Sequence, residues 1–262
     1  MNELRGIYII WYRDLLRFWH DKVRMIGSIT FPLLFLFVFG SGLSARMGLL
    51  GPGIDFTKFM FPGVIGMTVL MSSFMAGVSV VWDREFGFLK EVLVAPISRV
   101  SVAAGKMLGA ATIALLQGML ILLFAPLIGV SLSARTVLLV LPLMFLLAAS
   151  LGSLGILLAT RIRSMEAFQA AMQMLMFPMI FLSGVFFPLQ GLPAWMNVLV
   201  KVNPATYGID PIRRVVLGAS ADSALGINLF GHTMSIWEDV AVVAVFGAAM
   251  ILLAMWSFGS QD

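Results

Sequence analysis

Six apolar intervals fenced by charge constrain this chain more than any other feature. They lie between Arg24 and Arg46, from Phe59 to Trp82, between Lys106 and Arg135, between Arg135 and Arg161, from Glu166 to about Pro188, and from Asp239 to about Phe258. A helix needs about 20 apolar residues to cross ~30 Å of hydrocarbon. A charge at the bilayer centre costs roughly 2.5–3.5 kcal/mol, so charged residues mark where crossings stop. The intervals predict six transmembrane helices at 25–45, 59–82, 107–130, 136–160, 167–189 and 240–258, with no ionisable residue inside any of them. An all-α membrane protein follows, its 262 residues forming a single domain.

Composition agrees. Charged residues make up 11% of the chain and the mean hydropathy is +1.01, against about 25% charged in soluble domains. The net charge of +4 does not point to nucleic acid, because the basic residues flank spans, where topology accounts for them. The chain has no cysteine, which excludes a disulfide framework, a thiolate nucleophile and a cysteine metal site. The first apolar run is long enough to span and shows no clear small-residue cleavage site, so it reads as a retained anchor. No internal repeat or low-complexity linker divides the bundle.

An even number of spans puts both termini on one side. Five Lys and Arg precede span 1, four lie between spans 2 and 3, and two between spans 4 and 5, against six on the opposite side. The positive-inside bias places both termini in the cytoplasm.

Three segments do not span. In residues 1–24, Leu4, Ile7, Tyr8, Trp11, Leu15, Phe18 and Trp19 share one helical face and Arg13, Arg17 and Arg24 the opposite one. This is an N-terminal amphipathic interfacial helix, serving as a surface anchor or a partner contact. Between spans 2 and 3, WDREFGFLKEVLVAPISR carries six charges in eighteen residues. If it is helical from Asp83, then Phe86, Phe88, Leu89, Val92 and Leu93 form one arc, and Arg84, Gly87, Lys90 and Glu91 the other. Glu85 interrupts the apolar arc, and Pro96 ends the helix. Such a segment either docks into a groove on another protein or rests on lipid headgroups. Residues 190–239 face outward. Leu192–Val202 and Ala205–Leu217 are too short to cross and are punctuated by Pro188, Pro193, Pro204 and Pro211. They read as short re-entrant helices or as a surface loop with interfacial Trp195 and Tyr207.

Catalytic patterns are missing. His20 and His232 lie outside the spans, so no Ser–His or carboxylate pair forms at membrane depth, and metal-ligand spacing is absent. The nearest thing to a phosphate-binding loop, Gly105-Lys106, is followed by Met107 and has Val100 where the first glycine belongs. The chain is expected to bind no cofactor, and any ATP chemistry would belong to another polypeptide. Gly105 and Gly109 form GxxxG, which signals close helix packing with or without dimerisation. Gln169 and Gln173 share a face of span 5 and either line a pathway or bond between helices. Met172, Met174, Met176 and Met179 either pack or offer an adaptable surface to an apolar substrate.

DREFGFLKEVLVAPISR followed by GKMLG, with NPATYGIDPIRRVVLG before the last span, resembles the permease subunit of type-2 ABC exporters. That family includes drug, nodulation-factor, polysaccharide and teichoic-acid exporters, and the resemblance covers nearly the whole chain. It implies that residues 83–99 form a cytoplasmic coupling helix and loop. Asp83, Arg84, Glu85, Gly87, Lys90 and Glu91 would meet a separate P-loop ATPase subunit, with Arg13 and Arg17 near the same partner. It implies an outer gate containing Pro188, Trp195 and Tyr207. It also implies a second permease copy, identical or not, and ATP and Mg on the ATPase. The function expected is the membrane half of an ATP-driven exporter of an amphipathic or lipid-linked substrate in the cell (inner) membrane. An ATP-independent carrier or channel, and a membrane assembly factor, are the alternatives. No appended sugar-binding domain is visible, in contrast to lipid-linked polysaccharide exporters.

Overall fold

Helices account for most of the described residues. The computed structural model describes residues 3–47, 49–51, 54–86, 98–162, 164–218, 227–229 and 232–259. In chain order the α-helices are α1 (Glu3–His20), α2 (Lys22–Met47), α3 (Phe56–Glu85), α4 (Arg99–Leu122), α5 (Ala134–Arg161), α6 (Met165–Phe181), α7 (Ala194–Val202), α8 (Pro204–Leu217) and α9 (Ile236–Gly259). Two antiparallel pairs of very short strands lie in the loops, β1 (Leu49–Gly51) with β2 (Ile54–Asp55) and β3 (Asn228–Leu229) with β4 (His232–Thr233).

The helix starts follow local chemistry. Asp55, Ser98, Ser133 and Ser164 cap α3, α4, α5 and α6, each accepting from a backbone N–H in the first turn. At α9 the cap is reciprocal, with Ser235 and Glu238 of the stretch SIWE forming a capping box. Ser235 N donates to Glu238 Oε2 at 2.6 Å, and Glu238 N donates to Ser235 Oγ at 3.4 Å.

Helix α3 is the axis of the bundle. It is buried along most of its length and packs against α2, α4, α5, α6 and α8. Its closest approach is to α5, where a Cβ on Gly77 would run into the Gly155 carbonyl and the Phe168 ring. Backbones this near need glycine at the crossing. By contrast α2 and α9 leave most of their side chains exposed and flank the bundle.

Among the described residues, five helices are long and apolar enough to cross a membrane: α2, α3, α4, α5 and α9. The span expected at 167–189 is different. Helix α6 has 17 residues, roughly 26 Å at 1.5 Å per residue. It ends because the chain turns at Ser183–Gly184, with Gly184 at φ 78°. That turn seats Val185 against Gly63 of α3. The span expected at 107–130 also ends early, at Leu122, followed by a 3-10 turn at Ala125–Ile128.

The rule that charges stop spans fails at three places. Asp83, Lys106 and Asp239 lie within α3, α4 and α9, and all three are buried. Each carries an ion-pair partner, which offsets the desolvation that the rule assumes is unpaid.

Candidate functional site

Helix α1 provides one wall of the site. Gly6, Ile10, Asp14 and Phe18 are its buried residues, spaced at i+4 along one seam. That seam lies on α4, where the GxxxG pair admits it. A Cβ on Gly105 would sit 2.9 Å from Ile10 Cβ, and one on Gly109 3.2 Å from Asp14 Cβ. The motif therefore packs two helices of the same chain. Trp11 Nε1 donates to Thr112 Oγ1 at 3.0 Å and pins the same contact. At the helix start, Glu3 accepts hydrogen bonds from Ser101 and Ser98 at the N-terminus of α4. These bonds, Ser101 first, hold the Glu3 carboxyl below the usual carboxylate range. The exposed side of α1 carries Leu4, Tyr8, Tyr12 and Trp19, an apolar face suited to lipid.

Polar groups from α1, α3 and α4 meet under this seam. Asp83 Oδ2 lies 2.6 Å from Lys106 Nζ and 2.9 Å from Arg13 Nη2. Arg13 also bonds Asp14 Oδ1 at 2.9 Å, and Lys106 Nζ donates to Ser79 Oγ at 2.7 Å. Lys106 is 1% exposed, Asp83 4% and Asp14 9%. Burial alone would lower the Arg13 pKa, but the Asp14 and Asp83 carboxylates outweigh it and raise it. Arg17 stands at the rim, 3.8 Å from Asp83 Oδ1 and 5.4 Å above the Trp82 ring.

One residue further, Arg84 turns the other way. Its Nη1 donates to the carbonyls of Ala159 at 3.0 Å and Ile162 at 3.3 Å, the open C-terminal end of α5. Successive residues at the end of α3 thus tie it to α1 and α4 through Asp83, and to α5 through Arg84. Glu85 is exposed. Gly87, Lys90 and Glu91 lie outside the described residues, as does the rest of the expected coupling helix after Phe86.

At the opposite end α8 is buried over most of its length, against α3, α5 and α9. A Cβ on Gly66 would collide with Ile209, and one on Gly208 with Leu147. The helix is inserted into the bundle, so a surface-loop reading does not hold for it. Tyr207 is buried and donates its hydroxyl to the Lys201 carbonyl at 2.7 Å. Burial, then the Asp239 carboxylate, push its phenol pKa up. Trp195 on α7 is 64% exposed, and Pro188 is half-buried. Arg214 pairs with Asp210 at 2.6 Å and lies 3.8 Å from Asp239. Arg213, fully buried, donates to the Gly184 carbonyl and stacks 4.3 Å from the Phe59 ring centroid. Sequence reasoning passed over these four charges and over Asp14 and Lys106. The signals were the i,i+4 pairing of Asp210 with Arg214 and the place of Asp14 in an apolar i+4 seam.

Gln169 and Gln173 are exposed on α6 and bond no other described residue through their side chains. Met172 and Met179 are packed, whereas Met174 points outward. Among the described residues no cluster of metal-ligating side chains occurs.

The chain matches the ABC-2 type transporter family over residues 5–217. It belongs to that family. The permease is therefore a membrane-embedded transport subunit of an ABC transporter, not an enzyme in its own right. It is 26% identical over 256 residues to the protein named transport permease ycf38 of Cyanophora paradoxa, covering 95% of this chain and 88% of that one. It is 27% identical over 216 residues to nodulation protein J of Rhizobium leguminosarum bv. trifolii, covering 82% and 79%. A protein of Escherichia coli (strain K12) named as a multidrug ABC transporter permease, YbhR, is 26% identical over 199 residues, covering 76% of this chain and 52% of that one.

Proposed function

We propose that the permease is the membrane half of an ATP-driven exporter, powered by separate P-loop ATPase subunits that bind ATP and Mg. The observation that carries this reading is the convergence of α1, α4 and α5 on the C-terminal end of α3. Asp83 holds α1 and α4, and Arg84 holds α5. A force applied to residues 87–97 is delivered to four helices at once, which suits an external motor. Movement of the segment would then bias a two-state bundle between inward-facing and outward-facing forms.

The geometry divides the expected interface in two. Glu85, Gly87, Lys90 and Glu91 are the groups that meet the ATPase, with Arg17 beside Asp83 at the rim. Asp83, Arg84 and Arg13, whose polar atoms already bond within the chain, transmit its movement. Both termini and this segment face the cytoplasm. Helix α6, with the turn that follows it, completes a sixth crossing. A second permease copy supplies the other half of the pathway, and the exposed faces of α2 and α6, with Gln169 and Gln173, are where the two meet. Helices α7 and α8, with Pro188, Trp195 and Tyr207, form the outer gate. An amphipathic or lipid-linked substrate fits such a pathway.

The test is biochemical. Full-length permease purified alone should hydrolyse no ATP, and with a Walker-type ATPase it should form a stable complex with nucleotide-dependent flux. Flux in vesicles holding the permease alone, without nucleotide, would instead favour a carrier or channel.

A further inference from the structure

A cavity of about 280 Å³ opens between α1, α3 and α4 beside the Asp83–Lys106 pair. Its lining combines two kinds of chemistry. One wall is apolar, built from Met75, Val78, Ala110 and Ile113. Arg17 of α1 and Arg24 in the first turn of α2 also line it.

The charges around this cavity do not balance evenly. Lys106 is spent on Asp83, and Asp14 on Arg13. Asp21 uses Oδ1 to cap the first turn of α2, accepting from Arg24 N at 3.0 Å. Four cations, Arg13, Arg17, Arg24 and Lys106, thus face three carboxylates, Asp14, Asp21 and Asp83, which leaves one positive charge in excess. Among the described residues, neither Arg17 nor Arg24 makes a side-chain hydrogen bond, and the nearest carboxylate oxygen to Arg17 is 3.8 Å away. Arg24 is half-buried. A partly desolvated guanidinium without a hydrogen-bonded acceptor is costly, and the geometry of its fork matches phosphate or carboxylate oxygens.

We propose that this cavity binds an amphiphile with an anionic head, the head held by Arg17 and Arg24 and the first part of its apolar tail lying on Met75, Val78, Ala110 and Ile113. The ligand class follows from two guanidinium groups without a hydrogen-bonded acceptor lining the same cavity as apolar side chains. A resident anionic phospholipid and a transported anionic amphiphile share this chemistry. The site goes beyond the exporter reading and needs no ATPase, so binding is measured without nucleotide and stands or fails separately from it.

The experiment is native mass spectrometry of the full-length permease titrated with phosphatidylglycerol or phosphatidylcholine. Wild type should prefer phosphatidylglycerol by at least about tenfold, the scale of one or two charge-assisted hydrogen bonds. The Arg17→Gln/Arg24→Gln variant should lose that preference, while Arg5→Gln, on the exposed part of α1, keeps it. The Arg17→Lys/Arg24→Lys variant retains both charges and should keep most of it. Equal binding of the two lipids by wild type would overturn the site, as would an unchanged preference in the Gln pair or its loss in the Lys pair. Amphiphiles extracted from permease purified out of its own membrane tell the sources apart. A glycerophospholipid identifies a resident lipid and a different anionic amphiphile identifies cargo, whereas recovery of neutral species alone contradicts the proposal.

Discussion

Lys106 Nζ lies 2.6 Å from Asp83 Oδ2 across the α3–α4 interface, with both side chains out of contact with solvent. Neither residue is tolerable there alone. Together with Arg13 and Asp14 they turn the ends of three helices into one hydrogen-bonded unit. Removing one partner of a buried pair leaves the other charge uncompensated, at a cost of about 3–5 kcal/mol. Asp83→Asn and Lys106→Met should therefore each lower the thermal midpoint of the purified permease by several degrees. The double variant should be less destabilised than the two single effects combined. A thermal-denaturation double-mutant cycle with strictly additive effects would mean that the pair is not coupled.

The crossing of α3 and α5 sets a second prediction. Gly77→Ala places a methyl group against the Gly155 carbonyl and the Phe168 ring, which should cost about 1–3 kcal/mol by overpacking. Gly27→Ala meets nothing within 4 Å. It should be neutral or stabilising by a few tenths up to ~1 kcal/mol, through helix propensity. Midpoints measured on both variants in one detergent decide whether the close approach is real.

Most of the helical architecture was legible in the sequence because lipid punishes unpaired charge so heavily. The five long helices and the Ser235–Glu238 cap follow from that penalty and from capping chemistry. Two kinds of feature were not legible. Lys106 and Asp83 read as fence posts, since their neutralising partners come from helices far away in the chain and a linear scan sees only the charge. Helix α6 read as continuous to about Pro188 because Ser183 and Gly184 are as acceptable to a hydropathy window as the residues before them. Only the φ of Gly184 and the seat for Val185 on Gly63 reveal the turn. Arg13, Arg17 and Arg24 read as one face of one helix, but α1 ends at His20 and Arg24 stands in the first turn of α2. That Arg17 and Arg24 nevertheless line one cavity could be learned only from the packing.

Acid should loosen the seat of α1. Glu3 has its pKa lowered by hydrogen bonds from Ser101 and Ser98. Its contribution is fully present above the unfolded value of about 4.3 and is lost as pH falls through the lower folded value. Between about pH 6 and pH 3, the wild-type midpoint should fall more steeply than that of Glu3→Gln. Parallel curves would show that the bonds do not hold α1 in place.

Topology can be read directly, because the chain has no cysteine of its own. A membrane-impermeant maleimide added to intact cells should label a cysteine placed at Gln190 and spare one placed at Glu91. Labelling of the Glu91 position from outside would put the segment after α3 on the wrong side for any cytoplasmic motor.

The central claim is that a cytoplasmic ATPase drives this bundle through the segment after Glu85, and the most direct measurement is the amount of Walker-type ATPase retained per permease after purification, compared between wild type and Glu91→Lys. The account predicts a near-stoichiometric complex for wild type and loss of most of the ATPase in the variant, with insertion and thermal midpoint unchanged. Equal retention in both would contradict it.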